Sequence, residues 1–482
     1  MIFTTLGFPL FLAIVFAAYW LLRERRRQNL LIVVSSYVFY GWWDWRFCLL
    51  IACSSCVDFA VARAIHATDS PGKRRTLLTV GIVYSLSLLG FFKYYNFFAE
   101  SLSTAAGKLG WSMHPMTLEI ILPVGISFFT FQTLSYTIEV YRRRLQPASS
   151  LVEYFAFVSF FPLLLAGPIE RATHLLPQFQ RERTFDPVKA ADGCRQILWG
   201  FFKKLAIADQ LTGTVDTIYS HPATTNGGLL AIATVLFAFQ IYCDFSAYSD
   251  IAIGTSRLFG FEVMRNFAYP YFSQDLGEFW RRWHISLSTW FRDYVFVPLG
   301  GSRVSTVRKV LNVITTFTIS GFWHGAAWQF LAWGALNGVA VLPPTLAREQ
   351  AIKRKPVDVP GGDNFIPPPL VALRMAVTFA IVCCGWVFFR ADSIATACTI
   401  LGKIFAAPLR ENPHSWHVLM NGGPLLLVLL LVMIEWLQRR QLHPLQLEAL
   451  PRPARWIVYT ALLWLTFLLM PAHTSPFIYF QF

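Results

Sequence analysis

The sequence is poor in charged residues. Only 14% of its 482 residues are Asp, Glu, Lys or Arg, whereas soluble domains carry about 25%. Hydrophobic residues make up 55% of the chain. They are gathered into long blocks, and a block of about 20 apolar residues is long enough to cross a bilayer core. These proportions exclude an ordinary soluble domain and predict an all-α integral membrane protein.

Signatures of several other protein classes are also missing. The chain has no internal repeat of the kind that marks the two mirrored halves of a transporter. Its net charge of +14 is dispersed among loops and no nucleic-acid motif accompanies it, so membrane topology and anionic headgroups explain it better than nucleic acid. Cys53 and Cys56 form a CxxC without a second pair or a histidine beside it, and no metal site is predicted.

Twelve apolar blocks could span a membrane, alone or with a break. They cover residues 5–22, 29–42, 46–65, 77–98, 117–140, 151–166, 194–212, 227–243, 308–340, 368–389, 422–438 and 455–471. We therefore expect a bundle of about ten to twelve transmembrane helices with additional re-entrant or interfacial helices. The first block lacks a basic region before it and is expected to be a retained helix rather than a cleaved signal peptide.

The basic residues predict how the chain is oriented. Lysine and arginine crowd the loops at 23–27, 73–75 and 142–144, whereas the turn at 41–44 and the segment 99–116 carry few. By the positive-inside rule, the three basic loops face the cytoplasm and the N-terminus lies outside it.

Two stretches are too polar to span. Residues 348–369 contain a basic run together with Gly and Pro, and they are expected to form a polar connector rather than a helix. This connector separates a motif-rich region, about 241–340, from the C-terminal helices. Residues 167–190 hold Glu170, His174 and several arginines, and we expect this stretch at a membrane surface.

The segment 275–301 mixes aromatic, basic and acidic residues as no simple membrane span does. At helical spacing one face would carry Trp280, His284, Leu287 and Phe291. On the same helix Glu278 can reach Arg281 and Arg282 at i+3 and i+4. The pattern predicts one amphipathic helix that lies at the interface or in a protein-lined funnel; a simple aromatic and arginine anchor is the alternative.

His324 is the one residue between Val310 and Ala347 whose side chain titrates near neutral pH. Ionisable groups inside a membrane are costly and usually face a bundle interior or a water-filled cavity. Histidine is also the side chain best suited to general base catalysis near neutral pH. His324 is therefore a candidate catalytic residue, with a hydrogen-bonded core histidine as the alternative.

Asp244 and Asp250 lie at the end of another apolar block, in the segment 241–254. Six residues apart, they do not share a helical face, so a metal pair is not expected from this segment. We expect structural roles instead: capping a helix, and pairing with arginines such as Arg281 or Arg282.

Long motifs resemble a known family. The stretch EFWRRWHISLSTWFRDYVFVPLGG at 278–301, followed by GFWHGAAW at 321–328, closely resembles the membrane-bound O-acyltransferase family, in particular its bacterial alginate O-acetyltransferase branch. The resemblance continues through LPVGISFFTFQTLSYTIEVYR at 122–142, AGPIER at 166–171, YCDFSAYSDIAIG at 242–254 and GWVFFRA at 385–391. One departure is Ala247, where this branch has glycine. The resemblance implies that residues 1–482 form a single membrane domain.

The resemblance also implies a site and a reaction. In the family the histidine that matches His324 is the catalytic residue, and the one that matches His284 is a second important histidine. Acetyl-coenzyme A is the implied donor, with no permanently bound cofactor, and its acetyl group would pass through a tunnel in the membrane core. Arg281, Arg282 and Arg292 could hold the phosphates of coenzyme A, or could instead pair with Glu278 or Asp293.

Relatives of this branch work in the bacterial inner membrane beside extracytoplasmic, serine-hydrolase-like acetyltransferases. No such domain is visible in this sequence, so a separate partner is expected to transfer the acetyl group to a polysaccharide, with alginate or a similar exopolysaccharide as the leading acceptor. Peptidoglycan, cellulose and teichoic acid stay open as acceptors, whereas the bacterial-branch motif at 280–301 disfavours acylation of a lipid, sterol or secreted protein. A glycan or lipid transporter is the alternative from another class.

Overall fold

A computed structural model describes residues 3–5, 7–112, 114–350, 359–362, 364–406, 423–471 and 475–478. Within these ranges the regular structure is helical and no β-strand occurs. Helices satisfy their backbone hydrogen bonds internally, which a segment in lipid must do. The predicted all-α membrane fold is confirmed.

Twenty-one α-helices follow one another in the described ranges. They are α1 (Gly7–Leu21), α2 (Arg25–Asp44), α3 (Arg46–Ala67), α4 (Pro71–Leu89), α5 (Tyr95–Lys108), α6 (Ile126–Tyr141), α7 (Leu151–Ser159), α8 (Phe161–Leu164), α9 (Ala172–Phe179), α10 (Pro187–Phe201), α11 (Asp209–Tyr219), α12 (Gly227–Leu258), α13 (Leu276–Arg282), α14 (Ile285–Phe291), α15 (Thr306–His324), α16 (Trp328–Ala340), α17 (Leu342–Gln350), α18 (Pro369–Arg390), α19 (Ile394–Ala406), α20 (Gly423–Gln438) and α21 (Arg452–Leu469). Three π-helical turns also occur, at Gly90–Tyr94, Phe202–Ala208 and Arg292–Phe296.

Five described helices are long and apolar enough to cross a membrane. They run over Arg46–Ala67, Pro71–Lys108, Gly227–Leu258, Trp328–Ala347 and Pro369–Arg390. Three shorter apolar helices, α1, α19 and α20, add to them. The protein is therefore a multi-pass membrane protein, while the expected total of ten to twelve spans stays a prediction.

The described residues divide into two compact units. The first comprises Met1–Gly193 and Ala252–Met264, and the second comprises Cys194–Ile251 and Arg265–Phe482. Helices α10 and α12 each contribute residues to both units. That the whole chain acts as a single membrane domain stays a prediction.

Helix α6 forms the centre of the first unit. Nearly all of its residues are buried, because α3, α4, α7 and α9 pack around it. Its polar side chains find partners inside: Gln132 donates to the Phe157 carbonyl at 2.8 Å, and the Tyr136 hydroxyl accepts from the Ala148 N–H at 3.1 Å. The helix begins only after Gly125, which adopts φ 78°, so the first third of the predicted block 117–140 is not helical.

Helices α15 and α16 form a tight antiparallel pair in the second unit. Gly321 and Gly334 face each other, and a Cβ on either would overlap the backbone of the opposite helix. Small residues at such positions let two membrane helices approach closely. The predicted block 308–340 is thus two helices with a break at 325–327, and the break leaves His324 as the last residue of α15.

The predicted connector 348–369 is only partly described. Helix α17 ends at Gln350, so the expectation that this stretch is not helical is wrong for its first three residues. Residues 351–358 and 363 lie outside the described ranges, and those between 359 and 368 that are described form turns and irregular chain.

Candidate functional site

The segment 275–301 was predicted to form one amphipathic helix with His284 on one face. In the structure this helix is broken at His284. Helix α13 ends at Arg282, and His284 adopts φ 43° and ψ 54°, a left-handed conformation uncommon for a residue with a Cβ. The neighbouring segment replaces the helical hydrogen bonds at the break: the Ala268 N–H donates to the Arg282 carbonyl at 3.0 Å, and the Ile285 N–H donates to the Asn266 carbonyl at 2.9 Å. The expectation of one continuous helical face is therefore wrong.

At this break the side chain of His284 points into the interior of the second unit. Its side chain is almost fully buried, with 1% of the residue exposed. The ring lies 4.6 Å from the ring of Phe245, edge to face. Its Nδ1 atom lies 3.1 Å from Oδ1 of Asn266. The Oγ atom of Ser286 lies 3.5 Å from the same nitrogen, so His284 is held by polar contacts on its Nδ1 side within aromatic surroundings.

His324 lies in an aromatic pocket of the same unit. It is 4% exposed, and its ring centroid lies 4.9 Å from that of Trp323, 5.2 Å from Trp333 and 5.5 Å from Phe389. These rings exclude bulk water from the imidazole.

The fold brings the two histidines together, although they lie far apart in the sequence. Their ring centroids are 6.5 Å apart. This distance is too long for a direct hydrogen bond between ring nitrogens, and it leaves room for one oxygen atom between them. A reacting hydroxyl placed there would be within reach of both imidazoles, which is the geometric requirement for general acid–base catalysis.

A cavity of about 520 Å³ lies beside this histidine pair. Its lining is mainly apolar, with two arginines: Gly277, Trp280, Arg281, Ile285, Leu287, Ser288, Thr289, Phe291, Arg292, Phe296, Val313, Thr316, Phe317, Ser320, Val341, Pro344 and Thr345. We call it the α15 cavity, because it follows one side of that helix.

Two indole rings separate the α15 cavity from His324. The Trp280 ring lies 5.8 Å from that of Trp333, and the Trp333 ring lies 5.2 Å from that of His324. The indole N–H of Trp280 is buried and has no acceptor among the described residues. The cavity and the histidines are therefore neighbours with an aromatic layer between them.

The three predicted arginines occupy different positions. Arg281 and Arg292 line the α15 cavity, and Arg292 also pairs with Asp293 at 2.7 Å. Arg282 is buried and pairs with Glu278 at 2.9 Å, at the i,i+4 spacing that the sequence predicted. Two of the three arginines thus line the cavity, and Arg282 does not.

Sequence reasoning missed a pair of buried lysines. Lys203 pairs with Asp250 at 2.7 Å, and Lys204 pairs with Asp244 at 2.7 Å and with Asp209 at 2.8 Å. The expectation that the two α12 carboxylates pair with Arg281 or Arg282 is therefore wrong. The expected capping role is wrong too, since both carboxylates lie within the 32-residue helix α12. The sequence did contain a signal for these ion pairs, because two adjacent lysines in an apolar block need acidic partners.

The ion pairs of Lys204 also anchor a C-terminal segment. Lys204 donates to the Ser475 carbonyl at 2.9 Å, and Asp244 accepts from the Ile478 N–H at 2.7 Å. Between these points the Phe477 ring packs 5.6 Å from Phe245, the residue that also packs on His284. The buried charges thus support the wall behind the histidine.

The polar stretch 167–190 belongs to the first unit and forms a separate polar surface. Glu170 is fully buried, lies 2.8 Å from Nδ1 of His174 and accepts a hydrogen bond from the Met264 N–H. The carboxylate raises the pKa of His174 because it favours the protonated ring. In this same unit Arg25 donates to the Gln180 carbonyl, so the polar surface lies beside the basic loop at 23–27.

In the part of the chain that the structure describes, no group of three or more His, Cys, Asp and Glu side chains could hold a metal ion.

Comparison with known proteins identifies the family. The model of the membrane-bound O-acyltransferase family matches residues 45–384. The chain belongs to this family. It is therefore an acyltransferase, and the resemblance of its motifs is confirmed.

Individual relatives of this acyltransferase match most of the chain. The probable alginate O-acetylase AlgI of Pseudomonas aeruginosa is 39% identical over 447 residues, covering 91% of this chain and 82% of that protein. The protein of the same name from Azotobacter vinelandii is 40% identical, covering 84% and 77%. The peptidoglycan O-acetyltransferase of Helicobacter pylori is 33% identical, covering 81% and 77%.

The buried ion pairs predict a strong effect of one lysine on stability. Lys204→Met would leave Asp209 and Asp244 buried without their cation, and breaking a buried pair in this way costs about 3–5 kcal/mol. We expect a marked drop in thermal stability of the purified protein, read from unfolding in detergent.

Two further variants make this test specific. Adding Asp244→Asn to Lys204→Met should recover part of the loss, because one uncompensated charge is removed. Arg46 is exposed and forms an ion pair with Asp44 at 2.6 Å. Because exposed ion pairs contribute little, Arg46→Gln should change the free energy of unfolding by less than about 1 kcal/mol. Equal losses in Lys204→Met and Arg46→Gln would contradict the structural role of the buried pair.

Proposed function

We propose that this enzyme transfers an acetyl group from cytoplasmic acetyl-coenzyme A to a hydroxyl group, for the O-acetylation of an extracytoplasmic polysaccharide, alginate or a similar exopolysaccharide. The observation that carries the proposal is the placement of His284 and His324, 6.5 Å apart, beside an apolar cavity with two arginines. The similarity to alginate O-acetylases over most of the chain supports the choice of acyl group and acceptor.

His324 acts as the general base in this proposal. Its neutral imidazole takes the proton of the attacking hydroxyl while the hydroxyl oxygen forms a bond to the thioester carbonyl carbon. The carbon–sulfur bond then breaks, and the imidazolium returns the proton to the departing thiolate. No full charge develops on the attacking oxygen, which suits the aromatic surroundings of His324.

The α15 cavity suits the donor in this proposal. Guanidinium groups bind phosphate through two parallel hydrogen bonds, so Arg281 and Arg292 would hold the phosphates of coenzyme A, and the apolar wall would receive its arm. Val313 and Ser320 line the cavity along α15, and His324 lies one turn, roughly 6 Å, beyond Ser320. Arg282, held by Glu278, would support the wall rather than contact the donor.

A partner protein completes the proposal. The enzyme would lie in the bacterial inner membrane with its N-terminus on the extracytoplasmic side, and a separate serine-hydrolase-like protein there would pass the acetyl group to the polysaccharide. The similarity to a peptidoglycan O-acetyltransferase supports peptidoglycan as the second candidate acceptor. If the purified chain alone acetylates a polysaccharide at full rate, the partner is not needed.

Replacing His324 tests the proposed base. His324→Ala should lower turnover of acetyl-coenzyme A by about 10²- to 10⁴-fold, because the proton of the hydroxyl loses its acceptor. Turnover is measured as release of free thiol by protein in nanodiscs. His221→Ala, on an exposed loop, is the matched control and should keep wild-type turnover. Equal turnover by wild type and His324→Ala would make His324 a structural residue.

Replacing the cavity arginines tests the donor site. Arg281→Ala and Arg292→Ala should each raise KM for acetyl-coenzyme A by about tenfold, since a charge-assisted hydrogen bond contributes about 1.5–3 kcal/mol. The effect should vanish with S-acetylpantetheine, which lacks the nucleotide and its phosphates. Unchanged KM values for acetyl-coenzyme A would remove both arginines from the donor site.

A further inference from the structure

Asn266 lies directly against His284 and has no part in the reaction as proposed above. It is completely buried, and it begins the segment that replaces the helical hydrogen bonds at the break between α13 and α14. Its side chain reaches Ser249 on α12 on one side, and His284 and Ser286 on the other. The amide therefore connects α12 to the site.

The contacts of Asn266 determine which way its amide points. The Ser286 N–H lies 3.3 Å from Oδ1 of Asn266, and the Ser286 hydroxyl lies 2.9 Å from the same atom. A backbone N–H can only donate, so the atom that faces it must be the amide oxygen and not the nitrogen. The amide nitrogen then donates to Oγ of Ser249 at 3.1 Å. Only in this orientation do both the amide oxygen and the amide nitrogen of Asn266 have hydrogen-bond partners.

This orientation determines the tautomer of His284. The oxygen that faces Nδ1 of His284 at 3.1 Å can only accept, so Nδ1 has to carry a proton. The Ser286 hydroxyl is 3.5 Å from Nδ1 and closer to the amide oxygen, so it does not compete as an acceptor. In a neutral imidazole the second nitrogen, Nε2, then carries a lone pair and no proton.

The backbone supports the same arrangement. His284 is held in its left-handed conformation by the hydrogen bond from the Ile285 N–H to the Asn266 carbonyl at 2.9 Å. A residue keeps such a conformation only where its surroundings determine it strongly. Asn266 therefore orients both the main chain and the ring of His284.

We propose that Asn266 is a positioning residue that holds His284 in the Nδ1–H tautomer, so that Nε2 is the atom His284 offers to the reaction. The inference rests on the proposed function and specifies the role of the second histidine. While neutral, His284 accepts a hydrogen bond or a proton at Nε2 and cannot donate one there. The hydroxyl proton goes to His324, so His284 contributes a further proton acceptor beside it, and His284 does not stabilise the negative charge that develops on the thioester oxygen.

Three substitutions test the role of Asn266 in turnover. Asn266→Ala removes the acceptor for Nδ1–H, and we expect kcat to fall by about 10- to 100-fold, as is typical when a group that orients a histidine is lost, with KM for acetyl-coenzyme A unchanged. Asn266→Asp keeps an oxygen opposite Nδ1 and should recover most of kcat at alkaline pH, where the imidazole is neutral. Ser249→Ala removes only the acceptor for the amide nitrogen and should keep nearly wild-type kcat.

A merely structural role predicts a different pattern. All three variants would then lose activity in parallel with thermal stability, because each changes the connection between α12 and the site. Equal kcat in wild type and Asn266→Ala would also overturn the inference. Unfolding in detergent is measured for every variant, so that a loss of fold is separated from a loss of positioning.

The tautomer can be observed without an activity assay. In protein labelled with ¹⁵N-histidine, the His284 signals, assigned by their loss in His284→Gln, should show a protonated Nδ1 and an unprotonated Nε2. Asn266→Ala should shift these signals towards a tautomer mixture. A protonated Nε2 in the wild-type protein would overturn the inference.

The two proposals fail in different ways. If His324→Ala keeps full turnover, the proposed role of His324 as the base is wrong, whatever the tautomer of His284. If His324→Ala abolishes turnover while Asn266→Ala changes neither kcat nor the ¹⁵N signals, the proposed function stands and the role of Asn266 is wrong.

Discussion

The buried ion pairs of Lys203 and Lys204 are the constraint on which the site depends. A charge surrounded by apolar segments is costly unless an opposite charge accompanies it, and here each lysine has an acidic partner within helix α12. A shift of α12 along its axis would separate the pairs. The same helix carries Phe245, which packs on His284, and Ser249, which accepts from Asn266. The position of His284 is therefore tied to the lysines.

A second constraint acts on the backbone. The regular hydrogen bonds of helix α13 end at Arg282. Backbone groups at the break form hydrogen bonds with the segment beginning at Asn266 instead. Without that exchange, His284 would continue a helix and point along its amphipathic face. The close approach of α15 and α16 at Gly321 and Gly334 places His324 independently. Two separate local features, the break after α13 and the close approach of α15 and α16, thus place the two imidazoles of the pair.

The site fits the reaction class that the relatives share, and it does not identify the polysaccharide that distinguishes them. Relatives named for alginate and for peptidoglycan both match most of this chain. The proposed base and donor cavity would serve either polysaccharide, so the similarity to these relatives fits the reaction class more closely than the identity of the acceptor. Contacts outside the histidine pair would have to select the polysaccharide.

Local pattern in the sequence determined the class of protein and several of its parts. Long apolar blocks predict membrane helices because the bilayer sets their length, and His324 stands out because no other side chain that titrates near neutral pH occurs in its block. The pairing of Glu278 with Arg282 follows from helical spacing alone, and the long motifs led to the correct family.

Only the tertiary structure decided the break at His284, the partners of the buried lysines, the approach of the two histidines and the orientation of the Asn266 amide. Each of these depends on hydrogen bonds or charges between segments that are distant in the chain. A pattern with a period of 3.6 residues reports which residues share a face of one helix, and it contains no information about which other segment will replace that helix's hydrogen bonds.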